Sequence, residues 1–185
     1  MFADDTNLFL TGNSLDVIEK QMNDELEVIS EWFKSNLLSL NITKTSYIIF
    51  SNKTCRNLNL RIHGVGVTRQ YDTKFLGVVL SSNLKWHKHI EVILAKISKS
   101  IGIISKTRHL LPTHLTRMLY LTMVEPYLNY CILIWASGNQ SQLLDRILRV
   151  QKRFCRLMTF SNYSVHAHSA PLFQQLHILR IYDIY

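Results

Sequence analysis

Cysteine is scarce in this chain: Cys55, Cys131 and Cys155 are the three in 185 residues, odd in number and without a C-x-x-C pair. Such spacing builds no disulfide framework and fits reduced thiols in an intracellular protein, in nucleus or cytoplasm. With three prolines and six glycines there is no Gly/Ser- or Pro-rich linker, no repeat and no low-complexity tract. No stretch reads as a membrane span, because the most apolar window, Leu119 to Trp135, contains Glu125, Pro126 and Asn129. Nor is a signal peptide read, since Asp4 and Asp5 interrupt the start. Gly64-x-Gly66 lacks the further glycine, lysine and helix of a nucleotide loop. His87-x-His89 and His166-x-His168 each lack a third ligand at zinc spacing. No Ser-His-Asp or Cys-His nucleophile arrangement has local support.

Acidic residues are scarce too, but only after residue 50. Residues 1–50 carry three Lys/Arg against eight Asp/Glu, a balance of −5. Residues 51–185 carry 18 basic against five acidic, a balance of +13. A hydrophobic content of 47% is that of a globular chain with a sizeable core. The asymmetry points the C-terminal part toward a polyanion, with nucleic acid ahead of a membrane surface.

The chain opens on Phe2-Ala3-Asp4-Asp5-Thr6-Asn7-Leu8-Phe9-Leu10. Two adjacent carboxylates precede an alternating run that reads as a β-strand, Leu8 and Leu10 on one face, Asn7 and Phe9 on the other. On the residues alone, Asp4-Asp5-Thr6 is either a solvated turn or part of an oxygen-ligand site for a hard divalent cation. Two further blocks follow, Asn36-Leu37-Leu38-Ser39-Leu40-Asn41-Ile42-Thr43-Lys44-Thr45, and Lys74-Phe75-Leu76-Gly77-Val78 running to Leu84-Lys85-Trp86. In this order the three resemble the central catalytic box, the fourth palm motif and the primer-grip hairpin of reverse transcriptases of non-LTR (LINE-type) retrotransposons. The resemblance covers about residues 1–90, and the helical remainder is similar to the thumb of the same elements.

The resemblance implies an α+β fold. A partial antiparallel palm sheet backed by a long helix would occupy 1–86, and an α-helical thumb bundle 87–185. It implies that Asp4 and Asp5 are catalytic carboxylates and ligands of Mg²⁺ (or Mn²⁺) in two-metal phosphoryl transfer, with ions about 4 Å apart. Lys44 falls where the family has a lysine thought to neutralise or protonate the pyrophosphate leaving group. On the residues alone it is equally a surface lysine at a strand start. Phe75, Leu76 and Gly77 would form the primer grip, Gly77 marking either close backbone approach or a bulge. The implied partners are an RNA template and DNA primer duplex, with deoxynucleotides in the full-length parent. Because the chain begins three residues before Asp4, the first palm carboxylate, the nucleotide-binding helix and the fingers are expected to be missing. The expectation is then a truncated polymerase that holds its cation weakly and does not polymerise alone. The alternatives are a non-catalytic nucleic-acid-binding module and a degenerate remnant.

Periodicity supplies the rest. Leu15, Ile18, Met22, Leu26, Ile29 and Phe33 form one stripe of a helix over about 14–36, its acidic outer face (Asp24, Glu27, Glu31) solvated. Ser46–Phe50 reads as a strand, Leu58–Arg69 as a hairpin about Gly64 and Gly66, and Phe75–Leu80 as a buried strand. Trp86 closes that segment as core anchor or base-stacking platform. From His87 the pattern is helical. Ile90, Ile93, Leu94, Ile97, Ile101 and Ile104 share a face, with Lys88, Lys99 and Lys106 almost opposite and Lys96 beside them. Pro112 starts the next helix, and Tyr127, Tyr130 and Trp135 lie in an apolar stretch as core or as stacking groups. After a break at 137–139, Leu143, Ile147, Val150, Phe154 and Leu157 form an apolar face. Arg146, Arg149, Lys152, Arg153 and Arg156 gather on the other side within about 120° of arc, a pattern suited to phosphate contacts that do not read bases.

Overall fold

A computed structural model describes residues 6–137, 141–159 and 169–185. They divide into two compact units. Of the described residues, the first comprises those up to Thr73 with Ser81–Leu84, and the second Lys74–Leu80 with those from Lys85 on. Helices dominate and the strands are short, so the α+β class expected from the sequence stands.

In the first unit the 21-residue helix α1 (Leu15–Ser35) begins where Ser14 accepts from the Asp16 N–H. It ends in a Schellman closure: the Leu38 N–H reaches the Phe33 carbonyl and the Leu37 N–H that of Lys34. Leu37 takes the left-handed conformation there (φ 57°) and is almost wholly exposed. Along the helix Leu15, Ile18, Met22, Leu26, Ile29 and Phe33 are all half-buried, and Ser30 is the one buried residue. Asn23 ties the helix to β2 (Arg61–Ile62): its amide donates to the Asn59 carbonyl and its oxygen accepts the Arg61 N–H. Leu58, Leu60 and Ile62 supply the buried apolar residues beside it.

The sheet departs from expectation. The run after Asp5 is no strand: Thr6–Leu10 carries no regular secondary structure. Ser46–Phe50 shortens to β1 (Ser46–Tyr47), which pairs in parallel with β4 (Thr68–Arg69). β2 pairs antiparallel with β3 (Val65–Gly66) across a two-residue turn, His63 and Gly64, both at positive φ. The described residues therefore hold separate two-stranded pairs, one of them parallel, in place of a single antiparallel layer. The stretch expected as one buried strand is itself a hairpin. β5 (Asp72–Phe75) turns at Leu76 (φ 45°) and Gly77 (φ 86°) into β6 (Val78–Ser81).

The second unit is built on α2 (His87–Thr107), which buries Ile90, Ile93, Ile97, Ile101 and Ile104 as its spacing predicts. Against it pack α3 (Thr113–Met123) and α6 (Ser141–Met158). The short helices α4 (Glu125–Asn129) and α5 (Ile132–Trp135) are separated by Cys131 in the left-handed region (φ 53°). α7 (Ala170–Leu176) and α8 (Ile181–Ile184) close the bundle over α6. Pro112 sits one place before α3 rather than inside it, where its extended backbone starts the helix.

Candidate nucleic-acid interface

The basic residues of α6 lie where core formation leaves them. Leu143, Leu144, Ile147, Gln151, Phe154, Cys155 and Met158 are buried, an arc of about 120° at 100° per residue. Val150 and Leu157, expected inside, are only half-buried. The buried arc is thus rotated about 60° from the expected one. Gln151 lies near the centre of this arc: its amide donates to Tyr120 Oη (2.9 Å) and the Leu179 carbonyl (3.1 Å), and its oxygen accepts the Ile181 N–H (2.9 Å). A fully satisfied amide can be buried without the usual cost, so a polar residue sits at the centre of the apolar side. The rotation places Arg146, Arg149, Lys152, Arg153 and Arg156 directly opposite the core. Arg149 and Arg153 are exposed and the other three half-buried. No ion pair to a carboxylate forms at Arg146, Arg149, Lys152 or Arg153 among the described residues.

On α2 the lysines Lys88, Lys99 and Lys106 are exposed on the side away from the buried isoleucines. Lys96 is engaged differently, with its Nζ 4.8 Å from the centroid of the Tyr127 ring. Of the aromatics with an open role, Trp135 is wholly buried and its indole donates to the Tyr130 carbonyl (2.8 Å), which makes it core. Trp86 packs against the same core. His89 lies between these tryptophans, ring centroids 6.3 Å from Trp86 and 5.9 Å from Trp135. Its Nδ1 accepts the Val79 N–H (3.2 Å), and burial, then Lys96, holds its pKa below the usual histidine range. It is therefore a neutral structural imidazole.

At the expected primer grip, Phe75 is half-buried, and Leu76 and Gly77 are exposed at the hairpin turn. Tyr130, which nothing in the sequence ties to this turn, holds it: its hydroxyl donates to the Leu76 carbonyl at 2.5 Å. Lys44 ends a short 3₁₀ turn, Ile42–Lys44, with an exposed side chain; its N–H and the Thr43 hydroxyl both donate to Asn41 Oδ1. Asp4 and Asp5 lie outside the described residues, as do His166 and His168. Among the described residues no group of three or more His, Cys, Asp or Glu side chains could hold a metal ion. No described helix is long and apolar enough to cross a membrane.

Three curated relatives, all from Drosophila melanogaster, match most of the chain. It is 24% identical over 169 residues to the probable RNA-directed DNA polymerase from transposon BS, covering 89% of this chain and 18% of that protein. To the probable RNA-directed DNA polymerase from transposon X-element it is 27% identical over 159 residues, covering 83% and 17%. To the RNA-directed DNA polymerase from mobile element jockey it is 20% identical over 146 residues, covering 77% and 16%. The chain thus spans less than a fifth of the length of these relatives. No family model and no solved structure matches it.

Proposed function

We propose that this chain, kin to the RNA-directed DNA polymerases of non-LTR retrotransposons, is a part of such an enzyme that holds nucleic acid by its phosphates. In this reading residues 1–86 contribute part of the palm and residues 87–185 the thumb. The basic arc of α6 (Arg146, Arg149, Lys152, Arg153, Arg156) and the Lys88, Lys99 and Lys106 stripe of α2 contact the backbone of an RNA–DNA duplex. The observation that carries it is the placement of that α6 arc directly opposite the core, with no carboxylate partner among the described residues at Arg146, Arg149, Lys152 or Arg153.

The reaction of the full-length parent would be template-directed addition of deoxynucleotides. Asp4 and Asp5 would hold a divalent cation that stabilises the transferring phosphoryl group, and Lys44 would stand near the leaving pyrophosphate. Two neighbouring carboxylates do not by themselves make a two-ion site. This chain alone is therefore a nucleic-acid-binding module, and its purified form gives no primer extension; extension that an Asp4→Asn variant abolishes would overturn that statement.

The binding half is tested by titrating an RNA–DNA duplex at several salt concentrations. The expected result is affinity that falls steeply with salt and barely depends on sequence, the slope shrinking by about 0.9 for each phosphate that a substitution leaves unneutralised. Replacing Arg146, Arg149, Arg153 and Arg156 by Glu removes most of the binding. Unchanged affinity in that variant would sink the proposal.

A further inference from the structure

The first unit carries an open cavity of about 260 Å³ that the proposed function leaves unused. Its lining includes Ser51, Lys53, Thr54, Arg69, Tyr71 and Ser82, and no carboxylate. Two cations and four hydroxyl groups thus face one space. Arg69 is fixed in advance: its Nη1 donates to the carbonyls of Cys55 (2.8 Å) and Arg56 (3.3 Å) and to Asn57 Oδ1 (3.0 Å). Its Cζ also lies 4.8 Å from the centroid of the Tyr71 ring. All these partners are neutral. Asp16 and Glu19 are both paired with Arg56, and Asp72 accepts from Ser81 Oγ. Arg69 Nε is buried without a partner among the described residues, which leaves the charge of the fork under-compensated.

The rim is held by backbone. The Ser51 N–H donates to the Ser82 carbonyl (2.9 Å), the Ser82 N–H to the Tyr71 carbonyl (2.7 Å) and the Lys53 N–H to Ser51 Oγ (3.0 Å). A hydrogen-bonded rim, a pre-oriented guanidinium, an exposed ammonium and several hydroxyls suit an anion with three or four acceptor oxygens better than a carboxylate with two. We propose that this cavity binds one phosphate group, with Arg69 and Lys53 supplying charge and Thr54 and Ser82 supplying hydroxyls. The phosphate is that of a nucleic-acid strand; only this source, not the pocket's chemistry, rests on the nucleic-acid reading.

The test is an amide chemical-shift titration of the ¹⁵N-labelled chain with inorganic phosphate and, separately, with a single-stranded tetranucleotide lacking terminal phosphates. Both ligands are expected to move the amides of residues 51–55 and Ser82. Lys53→Gln, an exposed change that leaves the Arg69 bonds intact, is expected to weaken both by about three- to tenfold. Arg149→Glu with Arg153→Glu is expected to leave the phosphate titration untouched, so failure of the α6 interface and failure of this pocket are read separately. Shifts with inorganic phosphate alone support the phosphate site and overturn its nucleic-acid source. No shift with either ligand, or shifts that Lys53→Gln leaves unchanged, overturns the site.

Discussion

The Tyr130 hydroxyl donates to the Leu76 carbonyl at 2.5 Å, and its ring edge lies 3.3 Å from where a Cβ on Gly77 would be. One side chain from the segment between α4 and α5 therefore both latches and seats the β5–β6 turn. On the same hairpin, His89 Nδ1 accepts the Val79 N–H. A two-stranded hairpin is marginal by itself in water, so these two anchors, with the buried Val78, help to fix residues 74–80.

Removing the latch gives the first prediction. Tyr130→Phe keeps the ring and removes one exposed hydrogen bond, so stability falls by about 0.5–1 kcal/mol, and amide exchange at Gly77 and Val78 quickens. Gly77→Ala is expected to cost more, about 1–3 kcal/mol, because its φ of 86° is poor for any L side chain and the new Cβ meets Tyr130. Urea denaturation followed by hydrogen exchange reads both effects. Equal costs for the two variants would refute the seating role of Gly77.

A second prediction concerns Gln151, wholly buried with all its described partners on other elements. Gln151→Ala removes three hydrogen bonds and leaves the Ile181 N–H and the Leu179 carbonyl without a protein partner. The expected loss is about 2–4 kcal/mol in denaturation, with the ends of α8 fraying first. A loss below about 0.5 kcal/mol would mean that water replaces the amide at no cost.

How far the sequence was readable follows from the same residues. α1 and α2 were legible because their apolar spacing is a local property, recorded in Leu15 to Phe33 and Ile90 to Ile104. The burial of Gln151 on α6 was not, since it counts as polar until Tyr120 from α3, Leu179 from the segment before α8 and Ile181 from α8 arrive to satisfy it. The turn at Leu76-Gly77 was hidden for a different reason. A leucine at a positive φ inside Phe-Leu-Gly-Val-Val-Leu looks like a continuous buried strand, and Asn or Asp, the usual signal before Gly, is absent. Lys53, Arg69 and Ser82 lie too far apart along the chain to announce a shared pocket. The aspartate pair was legible only through its resemblance, and Asp4 and Asp5 fall outside the described residues.

The last prediction is a pH dependence carried by His89. Burial, with Lys96 adding to it, holds the folded-state pKa below the unfolded value, and Nδ1 must stay deprotonated to accept from Val79. As pH falls below about 6.5, the unfolded chain takes up a proton that the folded chain refuses. Stability contributed by this residue is therefore complete above that pH and is lost on acidification toward the depressed folded value. The slope approaches about 1.4 kcal/mol per pH unit over that window. His89→Asn keeps an acceptor near the Nδ1 position but does not titrate. Denaturation midpoints measured from pH 7.5 to 5 should therefore fall more steeply for the native chain than for His89→Asn, with the hairpin amides of Val78 and Val79 losing protection first. Parallel pH profiles for the two proteins would show that His89 is protonated as easily in the folded bundle as in water.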